Sequence, residues 1–486
     1  MKGKIMKLRT IFYGLTSGLL LGLSSCSLNY EPLDTYSDVT EGVTSDGTKI
    51  VFKDKAAVES HLTTLYNQMR DRQEHWYVDL LLISDSHSDN AYAGTTGAEV
   101  VPFENNSIEG SNSVLERDWN RYLEDVARAN KLICNIDLVT DNSLTTAERA
   151  QYKAEAKIFR AMVMFDMVRL WGDFPVITTV ADDITSENID EVYPQYFPKQ
   201  NTELEAYQQI EKDLLDAVLY APDNTPGNKT LFSKSVARTL LAKIYAEKPL
   251  RDYTKVIQYC DAKMRNTKES ILEAQFTSGA GNWCTWMFGR DLVNWNNNFT
   301  WAKWVTPSRD LISAFKQEGD EVRFKESIVY YDCNWSNYYP SDNYPFMYKC
   351  RSANSSIIKY RYADVLLLKA EALIMQDTPD LEGAADIIDE VRDRAKLGAL
   401  PTSVRSNKNV LLNALLKERR LELAFEGQRW FDLVRLDKVE EVMNAVYSKD
   451  SGRKAQIYTF DKNSYRLPIP QSVIDANDKI HQNPGY

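Results

Sequence analysis

The chain has 486 residues, 43% of them hydrophobic, and its 69 acidic against 58 basic side chains give a net charge of −11. That length admits a large core and more than one domain, while the acidic balance argues against nucleic acid and anionic lipid surfaces as partners. Six cysteines without a CxxC, and four histidines in no metal-like spacing with them, argue against a metal cluster or a disulfide framework and leave at most one pair, such as Cys333 with Cys350.

Lys2, Lys4, Lys7 and Arg9 precede an apolar run from Ile11 to Leu23. At about 13 residues the run is too short to span a bilayer, which takes roughly 20. Its basic start and small-residue exit are the layout of a secretory signal peptide. Leu23-Ser24-Ser25-Cys26 resembles a bacterial lipobox, so residues 1–25 are expected to be cut away and Cys26 to carry lipid. Losing four cations and no acid takes the net charge to about −15. Multiple acylation of Cys26 would hold the body firmly to a membrane. Residues 26–54, polar and without periodicity, read as a tether, and residues 55–486 as one domain.

In "EHWYVDLLLISDSHSDNAYAG", Trp76 and Tyr77 lead a helix-like apolar run that Asp85, Asp89 and Asn90 follow. "DSHSDN" begins like a calcium loop but lacks the sixth-position glycine and the distal glutamate, so a solvated helix end is the plainer reading and no metal is expected. Further on, Phe159, Met162, Val163, Met167 and Leu170 form one helical stripe that Gly172 and Pro175 terminate. Ala237, Leu240, Leu241, Ile244 and Tyr245 repeat the pattern behind Ser233, a candidate N-cap. Tyr253, Val256, Ile257 and Cys260 mark a partner helix.

Helical periodicity fades over residues 265–358, which read as a loop-rich insert. Six of the ten tryptophans fall here: Trp283, Trp286, Trp295, Trp301, Trp304 and Trp335, with Tyr330, Tyr331, Tyr338, Tyr339 and Tyr344 among them. A pyranose offers a face of C–H groups to a flat ring and a rim of hydroxyls to polar side chains. The insert supplies both kinds of partner, the second through Arg290, Asn294, Asn296, Asn297, Asn298 and Asp342. Most of these rings are expected to build the core of a segment that lacks regular structure, since aromatics bury the most area per residue. Some of Trp283, Trp286, Arg290, Trp295, Trp301, Trp335, Tyr338 and Tyr339 are expected to reach a ligand.

Tyr362, Leu366, Ala370 and Leu373, a break at Asp377-Thr378-Pro379, and then Leu381, Ala384, Ala385, Ile388, Val391 and Ala395 describe a helical hairpin of tetratricopeptide type. Such a hairpin cannot bury its face alone. Similar pairs around 117–170, 203–245 and 408–445 predict a mainly α fold: a tetratricopeptide-like scaffold of about four helix pairs, with long loop-rich inserts forming the ligand-binding side. Near its end "KERRLELAFEGQRW" stacks Glu418 and Glu422 one turn apart around Arg419, and Gly427 divides that helix from one carrying Trp430, Leu433 and Val434. Ion pairs pinning a helix junction are a better account of these charges than acid/base chemistry. The closing "LPIP…QNPGY" reads as a rigid extended tail, because each proline fixes its own φ and keeps the residue before it out of the helical region.

Four stretches, "AEAKIFRAMVMFDMVRLWGDFPVIT", "YRYADVLLLKAEAL", "KERRLELAFEGQRWFDLVRL" and "YRLPIPQSVIDANDKIHQNPGY", in this order and behind a lipobox, resemble the SusD/RagB family of outer-membrane nutrient-binding lipoproteins. The resemblance implies a surface-exposed, lipid-anchored protein of the outer membrane without cofactor. It would capture glycan without covalent chemistry and hand it to a SusC-like TonB-dependent transporter. It also implies that the early helix and its following loop help line the sugar site, which on this chain points to Trp76, Asp85, Asp89 and Asn90. A RagB-like member would take peptides instead. No phosphate loop, GxGxxG, GxSxG or HExxH is present. A glycoside hydrolase, needing only two carboxylates from anywhere in the chain, is the remaining enzymatic alternative.

Overall fold

The computed structural model describes residues 42–43, 49–94, 97–224, 227–261, 269–277, 281–290, 303–333 and 338–486, and its spine is the helix Thr146–Trp171. The expectations for residues 1–41, Cys26 among them, and for Trp295, Trp301 and Trp335 lie outside the described residues. Thr145 opens the spine with a capping box: its hydroxyl accepts from the Glu148 N–H, and the Glu148 carboxylate accepts from the Thr145 N–H at 2.9 Å. Gly172, at a φ of 72° that favours glycine, closes it. The stripe expected on this helix is only part of its buried surface. From Ala154 to Trp171 every side chain except Lys157 is buried, because neighbours pack on all sides.

Those neighbours form a row. The helices Ser113–Asn135, Thr146–Trp171, Glu203–Tyr220, Lys234–Ala246, Tyr253–Asp261, Tyr362–Met375 and Leu381–Arg394 each pack on the next in chain order. The fold is mainly α, as expected, and each hairpin covers the face its neighbour would leave open. Tyr253–Asp261 packs directly on Tyr362–Met375, so the insert between them leaves the stack and returns to it. One pairing differs from the expected scheme. Helix Lys408–Glu422 packs on Tyr362–Met375 and Leu381–Arg394 rather than forming a hairpin with Val439–Lys449. Ser233 stands at the N-cap of helix Lys234–Ala246, but its hydroxyl makes no capping bond.

The insert is more ordered than its composition suggests. Antiparallel strands Ser270–Ala274 and Ile357–Arg361 close its neck. Inside it lie helices Trp283–Met287, Arg309–Glu318 and Glu321–Ser327 and the hairpin Ile328–Tyr331/Tyr344–Met347. The Arg309–Glu318 helix carries ordinary signals: Ser308 caps the Leu311 N–H at 3.0 Å, and Gly319 ends it at a φ of 70°. No disulfide joins Cys333 to Cys350, and the neighbour of Cys350 is Cys284 rather than Cys333. Their hydrogen bond and burial raise the Cys284 pKa well above the usual thiol range.

The stretch after helix Lys55–Asp71 corrects the solvated-end reading. Residues 74–86 run as a π-helical segment Glu74–Val78, one α-turn and a second π-helical segment Leu82–Ser86, buried almost throughout. Asp85 accepts from Asn90 Nδ2 at 2.9 Å and from the backbone N–H groups of Phe425 and Gly427 at 3.0 and 3.2 Å. Asp89 receives a two-pronged pair from Arg429, both at 2.8 Å, and Asn90 accepts from Arg420 at 3.0 Å. Burial works against the Asp89 charge, but Arg420 and Arg429 outweigh it and hold its pKa well below the usual range. Burial pushes Asp85 up to about 6. These three residues therefore bind the junction between helices Lys408–Glu422 and Arg429–Arg435, not solvent.

That junction belongs to a buried network. Arg419, 1% exposed, donates to Asp364 and to Asp432, each at 2.8 Å. Glu418 takes Arg323 at 2.5 Å, and Glu422 takes Arg361 at 2.6 Å as well as Arg394. The C-terminal tail closes the body: the Leu467 N–H bonds Leu170 at 2.8 Å, and Asn483 Nδ2 bonds the carbonyls of Trp171 and Leu467. No helix among the described residues is long and apolar enough to cross a membrane.

Removing one partner of a fully buried pair strands the other charge, at about 3–5 kcal/mol. Arg419→Ala is expected to lose that much in urea unfolding, whereas Lys325→Ala, in an exposed pair with Glu321, leaves the midpoint where it was. His87 generates a pH dependence. It is wholly buried against Trp430, with centroids 4.1 Å apart, and burial pushes its pKa from 6.5 down to about 4. The unfolded chain takes up this proton near pH 6.5 and the folded chain only near 4, so His87 makes stability fall as the pH drops through that window, by up to roughly 3 kcal/mol. The stability difference between wild type and His87→Leu should shrink from pH 7 to pH 4; a constant difference refutes this assignment.

Candidate functional site

The aromatic part of the insert is fixed to the body at a few points. The short strand Ala91–Tyr92 pairs antiparallel with Thr306–Pro307, and Gly289 bridges to Met347 on the hairpin. A Cβ on Gly289 would lie 2.6 Å from the Cys350 carbonyl, so this approach requires glycine. Lys303 is buried beneath, and its ammonium donates to the carbonyls of Trp286 and Gly289, both at 3.1 Å. Burial pushes its pKa down to about 7. Ser86 reaches the Trp304 carbonyl at 2.5 Å, which ties the insert to the π-helical stretch.

On this base sits a wall of rings. Tyr92 and Tyr338 stack with centroids 4.5 Å apart, and Tyr339 meets Tyr344 edge-on at 5.9 Å. Each hydroxyl has a partner: Tyr92 donates to Asp450 at 2.7 Å, Tyr338 to Glu104 at 2.8 Å and Tyr339 to the Pro307 carbonyl at 2.7 Å. Burial and the Glu104 carboxylate push the Tyr338 hydroxyl far above the usual phenol range, so it stays a donor. Arg309 lies over the Tyr339 ring at 4.4 Å and bonds the Tyr338 carbonyl, while Arg290 lies over Tyr331 at 4.8 Å.

The expected ligand residues divide. Trp283, Trp286, Arg290 and Tyr339 are half-buried and Tyr331 is exposed, each keeping part of its surface open to solvent, and of these Arg290 and Tyr331 meet as a cation–π pair. The Trp286 ring lies on Gly281, where an added Cβ would meet it at 2.6 Å. Tyr338, 9% exposed, supports the wall from behind. Trp76 is wholly buried with its indole N–H on Asp125 at 3.1 Å, and Asp85, Asp89 and Asn90 are bonded into the helix junction, so these four form no part of the wall. Tyr92, Lys303, Arg309 and Glu104 are the residues that sequence reasoning missed. Only Arg309 carried a local signal, at the first turn of a capped helix. An arrangement of half-open rings beside guanidinium groups can hold a neutral polyhydroxylated ligand by stacking and hydrogen bonding.

Comparison with known proteins agrees with this architecture. Residues 344–486 match the model of the SusD family, and residues 33–246 match a model described as starch-binding associating with outer membrane. SusD-like protein P2 of Formosa agariphila is 26% identical, over 90% of this chain and 93% of its own length. A SusD-like protein of Bacteroides ovatus is 24% identical, over 88% and 82%. Among solved structures, a SusD homolog from Bacteroides thetaiotaomicron superposes with a TM-score of 0.71 at 22% identity, covering 89% of this chain and 97% of its own. A laminarin binding SusD-like protein superposes at 0.68 and 23% identity, covering 90% and 100%. Surface glycan-binding protein A from Bacteroides fluxus does so at 0.69 and 20%, covering 89% and 99%. With both ends of the chain matched by models of one family and the fold shared nearly end to end, the chain belongs to the SusD-like family.

Proposed function

We propose that this protein captures a glycan on its aromatic insert, through side chains among Trp283, Trp286, Arg290, Tyr331 and Tyr339, and passes it to a SusC-like TonB-dependent transporter, acting by binding without catalysis. The observation that carries this reading is the set of half-open rings and guanidinium groups on a braced insert. Rings already ordered lose little entropy when a sugar stacks on them. That a family relative binds laminarin supports a glycan as the ligand class. The lipobox at Cys26 and the outer-membrane description of the matched family model support a lipid-anchored protein at that membrane.

A second surface supports the transporter. Exposed apolar side chains are frequent along residues 180–220, with Ile184, Ile189, Tyr193 and Tyr196 in the connection before helix Glu203–Tyr220 and Leu215, Leu219 and Tyr220 near its end. Leu219 is 66% exposed, and apolar groups left in water in such numbers serve protein partners.

Affinity electrophoresis of the full chain through gels holding a panel of polysaccharides, laminarin first, tests the ligand. One glycan is expected to retard the protein, and Trp283→Ala or Trp286→Ala to weaken that binding roughly three- to tenfold. Retention by none of them, with binding of oligopeptides in a titration, would move the reading to a RagB-like peptide carrier; new reducing ends on incubation would move it to a glycoside hydrolase. Leu219→Glu combined with Tyr193→Glu is expected to abolish co-purification with a co-expressed SusC-like transporter and to leave glycan retention intact.

A further inference from the structure

A cavity of about 450 Å³ opens between the π-helical stretch, helix Glu321–Ser327, strand Ile357–Arg361 and the turn after helix Lys408–Glu422. It is within the size range of small-molecule sites. One wall is apolar, built from Trp76, Leu80, Leu81, Ile357 and Phe425. Elsewhere cations dominate: seven Lys and Arg side chains line it against four carboxylates, in a chain whose overall charge is −11. Some carboxylates that neutralise these cations stand behind the wall. Lys359 is held by Asp166 at 2.8 Å and Arg323 by Glu418 at 2.5 Å, and neither acid lines the cavity.

Four residues that line the cavity each carry a buried side-chain donor without a protein partner. Tyr77 Oη, Tyr360 Oη, Ser327 Oγ and Arg323 Nη2 have no protein partner, and all four residues line this cavity and are more than nine-tenths buried. Buried polar groups are nearly always paired, so four orphaned donors around one space are not accounted for by the fold. Burial raises the pKa of both phenols well above the usual range, so both keep their protons. A carboxylate has the complementary character: it only accepts, through two oxygens, and matches the planar fork of a guanidinium.

We propose that this cavity is a second ligand site, separate from the aromatic wall, for a small organic carboxylate with an apolar body. The carboxylate would accept from Tyr77, Tyr360, Ser327 and Arg323, and the body would lie against Trp76, Leu80 and Phe425. Exposed Arg351 and Glu326, ion-paired at 2.6 Å, stand among its lining residues as the outer rim.

Calorimetric titration of the full chain with 3-phenylpropionate, hexanoate and 3-phenylpropionamide tests this. The carboxylates are expected to bind at one site and the amide at least about tenfold more weakly. Tyr77→Phe with Tyr360→Phe removes only unpaired hydroxyls, so it should leave the melting temperature unchanged or raise it while weakening carboxylate binding about tenfold or more. Should that double variant fail to fold, Ser327→Ala asks the same question. Bound carboxylate is also expected to slow alkylation of Cys350, which lines the cavity, and not of exposed Cys134. No binding by either carboxylate, equal binding of the amide, or binding that ignores these substitutions would each overturn the proposal. Glycan retention, which does not involve these side chains, is expected to stay as in wild type, so the two readings fail separately.

Discussion

The structure depends on one guanidinium. Arg419 is buried among helices and held by Asp364 and Asp432, and its partners extend the chain of charge: Asp364 also takes Lys243 at 2.6 Å, while Asp432 takes Arg435, which reaches Glu371. Four helices, drawn from three separate stretches of the sequence, thereby share one electrostatic network. Taking charges out of water is expensive, and such a network adds little net stability relative to a well-packed apolar core. What it supplies is geometry. A guanidinium in low dielectric tolerates only the arrangement in which its donors meet carboxylates, so the helix ends must meet in one register.

The same short segment also faces outward from the stack. Glu418 and Glu422 point to Arg323 and Arg361, which lie in the insert and at its neck, and the turn that follows is clasped by Asp85. Residues 418–429 therefore join the repeat scaffold, the insert and the early π-helical stretch. Each of those parts would otherwise present unpaired charge to a dry interior. The wide insert can leave the stack between two adjacent helices without loosening it, because its root is fixed by charge at one end and by the strand pair Ser270–Ala274/Ile357–Arg361 at the other.

How far the sequence could be read follows from the range of the forces involved. Helices with local signals were legible: the stripe before Gly172, the hairpin broken at Asp377-Thr378-Pro379, and the architectural role of Glu418 and Arg419. The partners of those charges were not, since Asp364 lies 55 residues and Arg323 as many as 95 residues away. "DSHSDN" misled for the same reason. A polar run reads as solvated unless its counter-charges are known, and Arg420 and Arg429 are more than 300 residues distant. Within the aromatic insert, composition announced the wall, but which rings are closed off was decided by Tyr92, Lys303 and Glu104, residues that carry no pattern.

The manner in which the wall is braced explains how one scaffold can serve many ligands. Lys303 holds the carbonyls of Trp286 and Gly289, Tyr339 holds that of Pro307, and Ser86 holds that of Trp304. Every one of these bonds ends on main-chain oxygen, which any residue at the position would supply. Trp283, Trp286, Arg290 and Tyr331 can therefore be exchanged without removing one of these supports, whereas the posts, Tyr339 among them, and the charged junction cannot. On the proposed reading, variation in ligand and constancy of fold are compatible because specificity would be carried by side chains and anchorage by the backbone.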